Sequence, residues 1–61
     1  MTTREWLEAI DNARVPEGPH VQEALAELRT AGLIGHDLLG PHLTRKGREW
    51  LARERAQEAR P

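Results

Sequence analysis

The sequence predicts a small α+β domain, mostly helical, made of three helices and one short β-hairpin. Three observations carry this. Apolar residues recur at helical spacing in three stretches, around Trp6–Ile10, Val21–Leu28 and Leu43–Leu51. Breakers divide them, with Pro16-Glu17-Gly18-Pro19 after the first stretch and Gly32 after the second. Between the second and third lies Asp37-Leu38-Leu39-Gly40, whose Asp and Gly suit the first and last places of a four-residue turn.

The first helix is expected over about residues 3–13. Thr2 and Glu5 have capping-box spacing, so the hydroxyl meets an early amide and the carboxylate reaches back. Trp6, Leu7 and Ile10 form one stripe, with Arg4, Glu8 and Asp11 facing away. Pro19 suits the first position of a second helix over about residues 19–31, where a missing N–H costs nothing. Val21, Ala24, Leu25 and Leu28 are its apolar face. If Gly32 is the left-handed residue after that helix, Leu28 and Leu33 become the apolar pair of a Schellman ending.

The segments Leu33–His36 and Pro41–Leu43 then read as two hairpin strands with Leu38-Leu39 at the tip, and Pro41 requires an edge. Thr44 caps a third helix over about residues 44–58, with Leu43, Gly47, Trp50 and Leu51 as its buried stripe. No large apolar residue follows Leu51. Residues 52–61 are therefore expected to project as a solvated helical tail that frays before Pro61. No repeat or linker divides residues 1–61, and one domain is expected.

Composition excludes several classes of function. With 38% hydrophobic and 31% charged residues, the chain resembles a folded domain more than a disordered tail, because its apolar residues are periodic. There is no apolar run of the ~20 residues that a membrane span needs, and Met1 is followed by polar residues, so a cytoplasmic protein is expected. Cys and Ser are both absent, which removes disulfides and the Ser and Cys nucleophiles. The five Gly are scattered rather than gathered in a phosphate loop. Neither an enzyme nor a cofactor is expected.

His36, His42 and Asp37 are the one imidazole–carboxylate cluster. Without Cys or an i, i+4 His pair they point to edge-strand histidines in solvent or packed on a neighbour, and no metal is expected. Trp6 and Trp50, the only aromatics, are expected as core fillers. A domain this short needs regular helix packing or self-association to be stable.

Charge is divided along the chain. Arg4 and Arg14 face six carboxylates in residues 1–28, a net −4, while residues 29–61 carry +3. Such a dipole suits an anionic partner or head-to-tail self-contact.

The pattern Leu25-x-x-Leu28-x-x-x-Gly32-Leu33-Ile34, a hairpin, then Leu43-Thr44-x-x-Gly47-Arg48-x-x-Leu51 resembles the second half of a winged-helix domain. It is similar to MarR- and PadR-type regulators and to small phage-type winged-helix proteins of the YjcQ kind. The usual additional N-terminal helix is absent, so the resemblance implies a reduced winged helix-turn-helix. It also implies binding of double-stranded DNA by a bacterial or phage transcriptional regulator, with the second helix in the major groove and the hairpin as the wing. His20, Gln22 and Thr30 would then meet base edges, and Arg29, Arg45, Lys46 and Arg48 would meet phosphates.

Two features depart from that pattern. Glu23 and Glu27 lie on the outward face of the second helix, and the wing tip is Leu38-Leu39 where a DNA-reading wing carries Arg or Lys. They fit an alternative, a winged-helix module used for protein–protein binding as a homodimer, adaptor or inhibitor. Leu38 and Leu39 would be its contact residues.

Overall fold

The computed structural model describes residues 1–58. Three helices and a two-stranded antiparallel sheet follow in the order α1 (Thr3–Asp11), α2 (Val21–Thr30), β1 (Ile34–Asp37), β2 (Gly40–Leu43) and α3 (Arg45–Glu58). This is the mostly helical α+β arrangement of a reduced winged helix. No helix among the described residues is long and apolar enough to cross a membrane.

The helix ends follow from local chemistry. Thr2 Oγ1 accepts from the Glu5 N–H at 3.1 Å and Glu5 Oε1 accepts from the Thr2 N–H at 2.9 Å, a complete capping box. The bond from the Thr2 amide is the main cause of a Glu5 carboxyl held below the usual carboxylate range. Helix α1 ends at Asp11, two residues short of the expected boundary. Ala13 takes φ +54°, and the Arg14 N–H folds back to the Ala9 carbonyl at 2.7 Å.

Helix α2 starts at Val21 rather than Pro19. Pro19 and His20 form a turn in which the Val21 N–H donates to Gly18, and His20 supplies no side-chain cap. Its C-terminus has the expected Schellman form. Gly32 has φ +77°, and the N–H groups of Gly32 and Leu33 donate to Arg29 and Leu28, both at 3.0 Å.

The strands pair Ile34 with Leu43, Gly35 with His42, His36 with Pro41, and Asp37 with Gly40. Leu33 precedes β1 rather than opening it. Thr44 joins the hairpin to both helices: its Oγ1 donates to the Gly32 carbonyl at 2.6 Å and accepts from the Gly47 N–H at 3.1 Å.

Every element contributes to one core, made of Leu7, Ile10, Leu25, Leu28, Leu33, Ile34, Leu43 and Leu51. Each such side chain removed from water contributes ~1.5–3 kcal/mol. Trp6 and Trp50 are half-buried and pack on the outside of this cluster, so they are not the core fillers expected. The buried centre is made of aliphatic side chains, and the two rings pack against its margin.

The expected solvated helical extension is present over residues 52–58, which continue α3 with all but Glu54 exposed; what the sequence did not suggest are its ties to α1. Arg55 lies 3.2 Å from Glu8 and 3.4 Å from Asp11, and Arg4 pairs with Glu58. The rest of the expected tail, residues 59–61, lies outside the described residues.

Candidate binding surfaces

The outer face of α2 stands free. His20, Gln22, Glu23, Ala26, Glu27, Arg29 and Thr30 are all exposed, while Leu25 and Leu28 anchor the opposite face. Helical spacing causes this division, because the anchors recur at i, i+3 and leave the remaining positions outside. Thr30 Oγ1 donates to the Ala26 carbonyl at 3.0 Å, so its hydroxyl can offer a ligand mainly acceptor capacity. His20 Nδ1 sits 3.8 Å from Glu23. Glu23 and Glu27 leave this face acidic around the single cation Arg29.

The other three candidate cations crowd the first turn of α3, and the fold gives each a partner. Arg45 lies 3.4 Å from Glu49. Lys46 Nζ donates to the Ala31 carbonyl at 2.8 Å, and Arg48 Nη1 donates to the Leu43 carbonyl at 3.1 Å. Lys46 therefore places its charge at the C-terminus of α2, where the helix dipole favours a cation. A basic first turn is unfavourable for α3 alone. The packing of α3 against the end of α2 offsets that cost, a relation fifteen residues apart in sequence. Lys46 and Arg48 remain exposed and keep free donors.

The hairpin carries the other candidate surface. Asp37 Oδ1 accepts from the Leu39 N–H at 2.8 Å, and Gly40 takes φ +108°, so the tip is fixed as the Asp and Gly suggested. Leu38 and Leu39 sit at that tip with 104% and 98% of their surface exposed. Side chains alternate along a strand, so the pairs Gly35/His42 and His36/Pro41 lie on opposite faces of the hairpin. His36 and His42 are thus directed apart and cannot hold one ion between them. His42 lies over Gly35, with Nδ1 3.5 Å from Asp37.

Beside the hairpin is a groove of about 380 Å³, which sequence reasoning missed. Val15, Pro16, Val21, Leu25 and Pro41 give it an apolar lining, and Gln22, Arg29, His36 and Glu17 add polar groups. Its walls come from the α1–α2 connection, from α2 and from the hairpin. No periodicity within one segment could have announced it. Arg29 therefore faces this groove, which none of the α3 cations lines. Comparison with protein-family models, curated proteins and solved structures finds no match.

Proposed function

We propose that the chain is a small winged-helix DNA-binding protein, a regulator of bacterial or phage type. The observation that supports this best is the free outer face of α2, set between a hairpin and the cations at the start of α3. In this reading Gln22, Thr30 and His20 meet base edges, and Arg45, Lys46 and Arg48 meet phosphates. Arg29 is a weaker phosphate contact, because it lies on the groove beside the hairpin.

Binding to random duplex DNA, titrated with salt, tests the proposal. Each phosphate contact should add about 0.9 to the log–log slope, so Arg45→Ala with Lys46→Ala should flatten it by nearly two. Absence of duplex binding even at low salt would overturn it. A second reading, a protein-binding module, draws support from the fully exposed Leu38-Leu39 tip and from Glu23 and Glu27 on α2. Acidic groups oppose phosphate but tolerate a protein surface.

A further inference from the structure

We infer that the Leu38-Leu39 tip of one copy docks in the groove of a second copy, and that the exchange is reciprocal. This names the partner in the protein-binding reading; it uses none of the α3 cations, although Gln22 and Arg29 line the groove and also belong to the DNA reading. Size gives the first support. The void left by one deleted core leucine is on the order of 150 Å³, so a groove of about 380 Å³ accommodates the two side chains of the tip.

Position gives the second. His36 and Pro41 line the groove and are paired across the strands, and the next pair, Asp37 with Gly40, carries the tip. Tip and groove are therefore neighbours on one molecule. A two-residue turn fixed by Asp37 cannot fold its own leucines back into that groove. A two-fold axis beside the hairpin would put each tip into the other copy's groove, which closes the contact at two chains and leaves no open end.

Charge gives the third. Asp37 stands at the base of the tip, where it also faces His42 at 3.5 Å, and Arg29 lines the groove alongside Glu17 without forming an ion pair among the described residues. Docking brings these opposite charges together.

Sedimentation equilibrium of the full chain, from about 1 µM to 1 mM, tests the exchange. The parent should dimerise. Leu38→Glu with Leu39→Glu should weaken association by about ten-thousandfold, since the reciprocal exchange buries four leucines per dimer and each is worth about tenfold. Gln22→Trp fills the groove from an exposed position and should weaken association comparably, with an unchanged circular dichroism spectrum. It decides the matter even if the tip variant unfolds. A parent monomeric at 1 mM overturns the inference, as does an open-ended polymer. A Gln22→Trp variant that dimerises as tightly as the parent also overturns it. Arg45→Ala with Lys46→Ala, which touches neither tip nor groove, should dimerise like the parent whatever its DNA affinity, and this separates the two readings.

Discussion

At Gly47 a single hydrogen decides whether α3 can dock. A Cβ built there would lie 1.9 Å from the Leu33 carbonyl oxygen and 2.9 Å from its carbon. That carbonyl is not free to retreat, because it accepts the Thr44 N–H at 3.1 Å. In an exposed helix interior, Gly to Ala gains ~0.5–1 kcal/mol. The sign reverses here. Gly47→Ala should destabilise the domain by ~1–3 kcal/mol or more, as overpacking does. In a domain this small, each kcal/mol lowers the melting temperature by about 4–8 °C. A variant that melts at or above the parent would contradict the close approach. The spacing Thr44-x-x-Gly47 was legible in the sequence, but the reason for the glycine was not. It lies in Leu33, fourteen residues earlier, and only the docked backbone reveals it.

The two helix ends show the same limit at the scale of an element. Gly32 could be assigned as the left-handed residue in advance, since its position relative to Leu28 and Leu33 matched a known ending. Helix α1 ends in the same hydrogen-bond pattern, with Ala13 donating to Ile10 and Arg14 to Ala9, yet an alanine gives no such signal. Holding an L-residue in the left-handed region costs ~1–2 kcal/mol, which glycine largely avoids while losing more chain entropy on folding. Ala13→Gly should therefore stabilise the domain by about 0.5–1 kcal/mol, measured by urea melting. An unchanged or lower midpoint would mean that the α1 ending differs from the one described. Local i, i+3 chemistry made the capping box, the Thr44 cap and the hairpin turn legible. The start of α2 escaped because His20 offers no cap, and the groove escaped because its walls come from three separate segments.

Over the whole molecule, part of the charge division seen in the sequence is used internally. The acidic first helix and the basic last helix lie side by side, with Arg4 pairing to Glu8 and Glu58, and Arg55 to Glu8 and Asp11. The C-terminal half of α3 is thereby committed to α1. These groups are partly exposed, so each Arg55 pair should contribute only ~0.2–1 kcal/mol after solvent screening. The link nonetheless spans more than forty residues of chain, and it holds a helix end that has no large apolar side chain after Leu51. Arg55→Ala should lower stability modestly, and the loss should shrink between roughly 50 mM and 1 M salt as the pairs are screened. Urea midpoints for parent and variant at both salt concentrations measure this. If the two proteins differ by the same amount at each salt, the effect of Arg55 is packing of its aliphatic stem on α1 rather than charge. If they do not differ at all, the Arg55 pairs add nothing to what holds α3 in place.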